Sequence, residues 1–407
     1  MVKSITFLIN TIILWSLFSA LALGENKNLQ QMDRFPPSPL EVTTDDPLVR
    51  SSVKQQPLTA EELVKLETDL DRLNQQATSK FQEGDKQNAL DIWNRELRLR
   101  RFLGLQSEVE ALSRVGEITW RENEGRQVIY ITQRLQSIDK QMITEKNTNL
   151  QLWRSLAQAY QKIRVPKLAI LAYEQVLSLV KQQKNIDAEI DTLTVIGNLY
   201  LSRFNYSQAA ITYQQLLNIA ISLSDKIQEV EYLQELIYIY NRGEKRQKAI
   251  KVLSQLATIY RRNNNVYALL PLKIAIAENY QSLAQENPKF LQSALNNYQE
   301  AYVTAWNSKS YVFASEALQK LTELYRDQNQ IDEAIQTSQI LLETQTLTNN
   351  SYGLMQAYDQ IGQLYLEKQD NQKALLAFQN GLEIATKIQY QEEYFTQKVG
   401  SLSNNKP

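Results

Sequence analysis

Residues 153–160 read Trp-Arg-Ser-Leu-Ala-Gln-Ala-Tyr, and an alanine and a second tyrosine follow at Ala169 and Tyr173. The tyrosine that closes this stretch belongs to a series with a spacing of forty residues, interrupted once by a spacing of forty-five. The series is Tyr160, Tyr200, Tyr240, Tyr280, Tyr325 and Tyr365. A fixed internal period indicates one structural unit that is copied along the chain.

An alanine series has the same period and the same single slip. It is Ala169, Ala209, Ala249, Ala294, Ala334 and Ala374. Because Tyr280 is still in step and Ala294 is not, the extra residues fall within 281–293, where Asn287-Pro288 is a turn signal. An insertion at a loop is what stacked units tolerate, so the slip supports a repeat architecture.

Composition excludes several classes of function. The 407 residues include 44 basic and 45 acidic residues, a balance without the basic surface that nucleic-acid binding requires. The chain has no cysteine and no histidine, which removes thiol nucleophiles, disulfides, the commonest general acid/base and the commonest metal ligand. We therefore expect no metal site, no cofactor and no nucleic-acid partner. The chain has only 11 glycines and 9 prolines, and this small number favours long helices with short connections.

The N-terminus has the pattern of a targeting segment. Lys3 precedes a mostly apolar stretch over residues 5–23, and Ala20-Leu21-Ala22 offers a cleavage site. Residues 1–24 therefore read as a secretory signal peptide, which predicts export to a periplasmic, lumenal or extracellular space. The alternative is an uncleaved membrane anchor over residues 5–23. Residues 25–57, which are rich in proline and lack a helical apolar period, are predicted to be a disordered linker.

Helical periodicity begins after residue 57. Thr59 and Glu62 have the spacing of a capping box, and Leu63, Leu66 and Leu70 recur at helical spacing. From there the pattern is helix, turn, helix without strand-like alternation. The internal marks define eight units over residues 58–388, and residues 389–407 are predicted to form a capping helix and tail.

These marks resemble the tetratricopeptide repeat (TPR), whose pattern is W-x2-L-G-x2-Y…A-x3-F…P. Trp153 to Tyr160 matches its first half, with Ala157 in place of glycine, and the Ala169 and Tyr173 pair matches its second helix. The chain differs from the pattern in a period of forty instead of 34 and in the absence of the closing proline. The resemblance covers about four-fifths of the chain.

The resemblance implies an all-α, right-handed α-solenoid of about eight helix hairpins. Small residues such as Gly197 and Gly362 then allow close approach of the paired helices, and the repeated tyrosines form the structural core together with the repeated alanines. A buried ring contributes roughly 150–250 Å² of contact. We accordingly expect the loss of one ring, such as that of Tyr240, to cost roughly 3–5 kcal/mol.

The resemblance also implies a binding groove lined by the first helix of each hairpin. The first-helix residues that point away from the core are Asn74, Arg154, Gln158, Gln161, Asn198, Gln234, Tyr238, Asn241, Glu278, Gln281, Gln319, Gln356 and Gln363. Carboxamides carry both donors and acceptors and could bind the backbone of an extended peptide. The alternative is that this row merely samples a chain rich in glutamine and asparagine.

No catalytic constellation is evident, so we expect no enzymatic activity. The predicted function is a protein–protein interaction scaffold or assembly factor that binds a partner peptide or helix. A membrane-tethered assembly factor is one alternative. The other is a carboxylate enzyme acting on glycans, because acidic pairs such as Glu61-Glu62 and Glu392-Glu393 are present. Such pairs are more simply explained as helix starts favoured by the macrodipole, and the short basic run at Arg98–Arg101 as a helix end.

Overall fold

The computed structural model describes residues 36–42, 45–49 and 57–403. Within these ranges all regular structure is helical. The chain divides into two compact units, residues 1–179 and 180–407, with the boundary inside a helix. We call them unit 1 and unit 2. The predicted signal peptide at residues 1–24 lies outside the described residues.

Eight hairpins and one closing helix follow each other along the chain. In unit 1 the helices are α1 (Ala60–Gln82), α2 (Lys86–Arg100), α3 (Leu105–Arg121), α4 (Gly125–Thr144), α5 (Leu150–Lys162) and α6 (Pro166–Gln182), of which α6 crosses the boundary. In unit 2 they are α7 (Ile186–Ser202), α8 (Tyr206–Ser222), α9 (Lys226–Arg242), α10 (Arg246–Arg262), α11 (Val266–Glu286), α12 (Leu291–Asn307), α13 (Tyr311–Asp327), α14 (Ile331–Leu347), α15 (Ser351–Glu367), α16 (Asn371–Ile388) and α17 (Glu392–Ser403). The predicted all-α repeat fold is confirmed.

The forty-residue period has a simple structural origin in helix length. From α7 to α10 every helix has 17 residues, and three residues separate it from the next. In the turn after α7 the Asn205 amide donates to the Tyr200 carbonyl at 2.9 Å, and the Phe204 amide donates to the Leu201 carbonyl at 2.9 Å. Phe204 has a φ of 57°. This is the Schellman geometry, which satisfies the last carbonyls of a helix and turns the chain sharply.

Side chains cap the starts of many helices. Thr59 forms the predicted capping box with Glu62 at the start of α1. Asn205 and Asn265 accept backbone hydrogen bonds at the starts of α8 and α11. Such caps fix where each helix begins and contribute about 1 kcal/mol each. Together with the three-residue turns, they keep the repeat in register.

The insertion in the sixth hairpin lies where the sequence places it. α11 extends to Glu286, giving it 21 residues, and a 3₁₀ turn over Pro288–Phe290 follows before α12. The extra residues therefore lengthen the end of a first helix and its loop, and they leave the pairing of α11 with α12 intact. No helix in the described ranges is long and apolar enough to cross a membrane.

The repeated alanines lie in the core, as predicted. All six, from Ala169 to Ala374, are 0% exposed. The repeated tyrosines differ from the prediction. Tyr160 is fully buried, but Tyr200, Tyr240, Tyr280, Tyr325 and Tyr365 are only partly buried. Five of these six rings therefore lie at the edge of the core and keep part of their surface in water.

In several hairpins a deeper ring comes from the second helix, four residues after the alanine. Tyr298 and Phe378 are fully buried, and Tyr213 is 5% exposed. A Cβ atom on Gly197 would lie 2.7 Å from Cε2 of Tyr213, and one on Gly362 would lie 2.7 Å from Cε1 of Phe378. The two small first-helix residues thus give the ring of the paired helix its space, which confirms the reason proposed for them.

The predicted linker is partly folded. Residues 36–42 and 45–49, which we call the N-terminal strap, contact the first two hairpins. Leu40 is 1% exposed, and Val49 packs with Leu66, Leu70 and Leu99. The disordered-spacer prediction is wrong for these stretches because two apolar anchors and several arginine contacts hold them. The rest of residues 25–57, apart from Pro57, lies outside the described ranges.

Candidate functional site

The predicted groove residues all lie on the first helices of the hairpins. We call the outer surface of these helices, α1, α3 and α5 in unit 1 and α7, α9, α11, α13 and α15 in unit 2, the first-helix face. Within unit 2 neighbouring first helices are adjacent: Nζ of Lys320 on α13 lies 3.8 Å from Oε1 of Glu278 on α11. Nε of Arg326 on α13 lies 2.8 Å from Oε1 of Glu367 on α15.

Every one of these residues keeps access to solvent. Eight are exposed: Gln158, Gln161, Asn198, Gln234, Tyr238, Glu278, Gln319 and Gln356. Five are partly buried: Asn74, Arg154, Asn241, Gln281 and Gln363. The row is therefore available to a partner, but its members are not equivalent.

Three of these carboxamides form the same type of hydrogen bond, each with a tyrosine hydroxyl. The hydroxyl of Tyr173 donates to Oε1 of Gln161 at 3.0 Å, and that of Tyr213 donates to Oδ1 of Asn198 at 2.9 Å. In the sixth hairpin, the Tyr298 hydroxyl donates to Oε1 of Gln281 at 2.7 Å. In each case a buried second-helix ring fixes the amide oxygen. No other described residue accepts a hydrogen bond from the three amide NH₂ groups, so these donors face outward.

In two other carboxamides the NH₂ group, and not the oxygen, forms the hydrogen bond. Nε2 of Gln234 donates to the Tyr260 hydroxyl at 3.3 Å, and Nε2 of Gln363 donates to the Tyr394 hydroxyl at 2.9 Å. These side chains present their oxygen atoms instead. Asn74 differs again, since its Oδ1 accepts from Nε1 of Trp93 at 3.1 Å and from Arg114. The first-helix face thus offers fixed donors at some hairpins and fixed acceptors at others.

The remaining predicted residues are less constrained. Arg154, Gln158 and Gln319 form no side-chain hydrogen bond with another described residue. Oδ1 of Asn241 is buried and lacks a hydrogen-bond partner among the described residues. The structure therefore fixes the hydrogen bonds of only part of the predicted groove.

The first-helix face of unit 2 is acidic. α7 carries Asp187, Glu189 and Asp191 and no basic residue, and α15 carries only acidic charges. Among the second helices, α8 has no charged residue at all. α10 carries only basic ones, at positions Arg246, Lys248, Lys251, Arg261 and Arg262. The second helix α14 is acidic as well, so the contrast between the two kinds of helix is strongest between α7 and α10.

The nearby carboxylates add to the effect of burial on the pKa of two tyrosine hydroxyls. Burial raises the pKa of Tyr213 to about 12, and the carboxylates of Glu235 and Glu231 contribute to the shift. Burial also raises the pKa of Tyr298, followed by the effect of Glu278. The hydroxyls that fix the amides consequently stay protonated and keep donating at any physiological pH.

Two cavities flank the repeat helices, one in each unit. In unit 1 a cavity of about 440 Å³ lies between the ends of α3 and α5 and includes Gln158 and Gln161. Its wall contains Trp120, which is 42% exposed and lies 5.1 Å from Cζ of Arg164. In unit 2 a cavity of about 430 Å³ lies between α8 and the α9–α10 turn, and Tyr240 lines it.

Trp120 stands where the regular units have the repeated tyrosine, yet 42% of it is exposed. The position nine residues later is Ile129, where the regular units have the small alanine. Ile129 is itself 43% exposed. The absence of alanine at that position was a signal that this hairpin departs from the regular packing.

The acidic pairs lie at helix starts. Glu61 and Glu62 belong to the first turn of α1, and Glu392 and Glu393 to the first turn of α17. This is the arrangement that the macrodipole favours. In the described part of the chain, no group of three or more acidic residues has the geometry to hold a metal ion.

No protein-family model and no curated protein sequence matches the chain. Solved structures do match it. The apo form of RapI is 15% identical with a TM-score of 0.42, over 69% of this chain and 77% of that one. A STAND signal transduction ATPase with a tetratricopeptide repeat sensor from Pyrococcus horikoshii is 13% identical with a TM-score of 0.41, over 77% of this chain and 49% of that one.

A third similar structure is a putative kinesin light chain with nearly identical TPR-like repeats from Podosopora anserina. It is 18% identical with a TM-score of 0.35, over 50% of this chain and 98% of that one. Likeness of this degree reflects shared helical hairpins and carries no functional argument. By its own paired helices and forty-residue period, the chain is a TPR-like helical repeat protein.

Proposed function

We propose that this TPR-like repeat protein is a non-catalytic interaction scaffold or assembly factor that binds a partner peptide or helix on its first-helix face. The observation that carries the proposal is the recurring tyrosine–carboxamide hydrogen bond, at Gln161, Asn198 and Gln281. Gln161 and Gln281 each follow the repeated tyrosine directly, and Asn198 lies one helical turn earlier in its unit. In three hairpins a tyrosine of the second helix therefore binds a carboxamide near the end of the first helix.

The hydrogen bond has a physical consequence for binding. A glutamine on a helix surface normally loses rotamer freedom when it binds, at a cost of about 0.5–1.5 kcal/mol. A carboxamide whose oxygen is already fixed by a buried hydroxyl has lost part of that freedom in advance. Its NH₂ group can therefore donate to a backbone carbonyl of the partner at a lower entropic cost.

A peptide library displayed on phage tests the proposal. The double variant Asn198→Ala with Gln281→Ala removes two fixed donors from the first-helix face, so we expect the affinity of peptides selected on the natural protein to fall about tenfold. The matched control is Gln292→Ala with Asn296→Ala, which removes one glutamine and one asparagine from the exposed surface of the second helix α12. Equal losses in both variants, or no loss in either, would contradict the proposal.

A second variant guards against misfolding. Asn198→Ala also removes the acceptor of the nearly buried Tyr213 hydroxyl. Tyr213→Phe retains the amide but frees it to rotate, so we expect a smaller loss of affinity with an unchanged circular dichroism spectrum. A loss of peptide binding in Tyr213→Phe as large as in the double variant would indicate damage to the fold instead.

The charge of the face favours partners with basic residues. We expect the selected peptides to be enriched in lysine and arginine, and their binding to weaken as ionic strength rises. Changing Glu235, Glu278 and Glu316 on first helices to glutamine should weaken binding about tenfold at low salt. The control changes Asp332, Glu333 and Glu343 on α14 to glutamine and should leave binding within about twofold. A neutral or acidic set of selected peptides would refute the charge preference while leaving the scaffold proposal intact.

The cellular location is part of the proposal and depends on the sequence alone. If residues 1–24 form a cleaved signal peptide, the mature protein acts outside the cytoplasm, and if residues 5–23 are retained it is tethered to a membrane. Mass spectrometry of the mature N-terminus separates the two cases. A mature chain that starts near Leu23 or Glu25 supports export and removes the anchor.

A further inference from the structure

The end of the second helix of the first hairpin holds the N-terminal strap with three regularly spaced arginines. Arg95, Arg98 and Arg101 follow each other at intervals of three residues, along α2 and into the 3₁₀ turn Arg101–Leu103. This spacing puts them on one side of the helix. All three reach the N-terminal strap, so the basic residues at this helix end do more than complement its dipole.

Two of the arginines bind backbone carbonyls. Nη1 of Arg98 donates to the carbonyl oxygen of Pro39 at 2.8 Å, and Nη2 of Arg101 donates to that of Leu40 at 2.6 Å. On the neighbouring α4, the Tyr130 hydroxyl donates to the carbonyl of Pro36 at 3.3 Å. Pro39 and Leu40 belong to a 3₁₀ turn over Pro39–Glu41. Contacts of this kind recognise main-chain carbonyls and place little demand on the sequence.

The third arginine binds a side chain of the strap. Nε and Nη2 of Arg95 donate to the two carboxylate oxygens of Asp46 at 2.7 and 2.8 Å. This fork geometry is the strong form of an arginine–carboxylate contact. The hydrogen bond from Arg95 holds the pKa of Asp46 below its ordinary value. Leu40, which lies six residues before Asp46, supplies the buried apolar anchor.

One of the three arginines, Arg101, is also held by a residue of the hairpins. Nε of Arg101 donates at 3.0 Å to Oε1 of Glu108, a carboxylate with 1% of its surface exposed. The same carboxylate accepts both Nε and Nη2 of Arg134 on α4, at 2.6 and 2.9 Å. Because Glu108 and Arg134 belong to the hairpins, this part of the surface does not need the strap to hold Arg101 in place.

We propose that this surface of α2 and α4 is a peptide-binding site, occupied in cis by the N-terminal strap, which a partner segment of the same chemistry can displace. The fitting segment has a leucine in a short 3₁₀ turn, followed six residues later by a carboxylate. Two of the polar contacts of the strap lie near water, since 36% of the Arg95 side chain and 57% of the Glu41 side chain are exposed, so water can replace these contacts when the strap leaves. The site lies on second helices and is separate from the first-helix face.

Peptide binding to the full chain tests the proposal. The probe is a fluorescent synthetic peptide with the sequence of residues 36–49. We expect the Asp46→Asn chain, whose own strap is weakened, to bind it at least about tenfold more tightly than the natural chain does, since competition in cis is reduced. Asp46→Asn combined with Arg95→Ala should lose this gain. Equal binding by all three chains would overturn the proposal.

Charge reversal supplies a control that misfolding does not mimic. Arg95→Glu should reject the natural peptide, and a peptide in which the residue at position 46 is arginine should restore binding to that chain. If this peptide does not restore binding while the circular dichroism spectrum is unchanged, Arg95 does not recognise the carboxylate at position 46.

Hydrogen exchange of the natural chain distinguishes a strap from a fixed part of the core. We expect the amides of Glu41 and Val49, whose hydrogen bonds lie within the strap, to exchange through local opening, well before those in the middle of α2. If they exchange only together with α2, the segment is a permanent structural element and the proposal is wrong.

Discussion

Replacing Tyr160 by alanine is expected to lower the free energy of unfolding by about 3–5 kcal/mol. The ring lies on α5 and is 0% exposed, so its removal leaves a cavity in the core. Tyr240 occupies the equivalent place two repeats later, but it is only partly buried and lines an open cavity. Tyr240→Ala should therefore cost clearly less, about 1–2 kcal/mol.

Guanidinium denaturation followed by circular dichroism measures both variants. Sequence alone gave these two tyrosines equal weight, so the comparison separates the structure from the repeat pattern. Equal destabilisation of the two variants would contradict the burial that the structure assigns to the rings.

Removing Arg114 is expected to be nearly as damaging, at about 3 kcal/mol near neutral pH. Nη2 of Arg114 donates to Oε1 of Glu96 at 2.6 Å, and Nε of Arg100 donates to the same oxygen at 3.0 Å. The Glu96 side chain is 0% exposed. Arg114→Ala therefore leaves a buried carboxylate with one cation instead of two. Arg72→Ala, which breaks an exposed pair with Asp69, is the control and should cost at most about 1 kcal/mol.

The cost of Arg114→Ala should also depend on pH. Burial raises the pKa of Glu96 despite the attraction of Arg114 and Arg100, so desolvation outweighs the ion pairs. A carboxyl with a raised pKa in the folded state binds a proton there first, so its contribution to the free energy of unfolding rises as pH falls through that pKa. It levels off below the ordinary glutamate value of about 4.3.

Without Arg114 the pKa of Glu96 should rise further, so the deficit of Arg114→Ala should be smaller near about pH 5 than near about pH 7.5. Denaturation midpoints of the natural chain and the variant at both pH values measure this. A deficit that grows on acidification would contradict the assigned role of Glu96.

The repeat could be predicted because its period is marked by side chains whose size is restricted by helix packing. Only a small residue fits where the two helices of a hairpin cross, so the series from Ala169 to Ala374 marks the core directly. The insertion was located from the slip between Tyr280 and Ala294. These features depend on local chain geometry, and a single sequence contains that information.

Other features depend on contacts between distant residues. The tyrosine series marks positions near the helix ends, where the Tyr200 carbonyl closes the turn, and periodicity alone does not distinguish an edge position from a core position. The strap has no periodicity at all, and its order comes from arginines that follow Asp46 by roughly fifty residues. The same limit applies to the groove, since the sequence selects Asn198 but does not show that Tyr213 fixes its oxygen.

The most direct test of the scaffold proposal is to locate a bound peptide by photo-crosslinking. A photoreactive amino acid is placed at Gln319 on the first helix α13 or at Gln336 on the second helix α14, both of which are exposed. A peptide selected by the natural protein should crosslink strongly at position 319 and at background level at position 336. Crosslinking at position 336, with none at position 319, would contradict binding on the first-helix face.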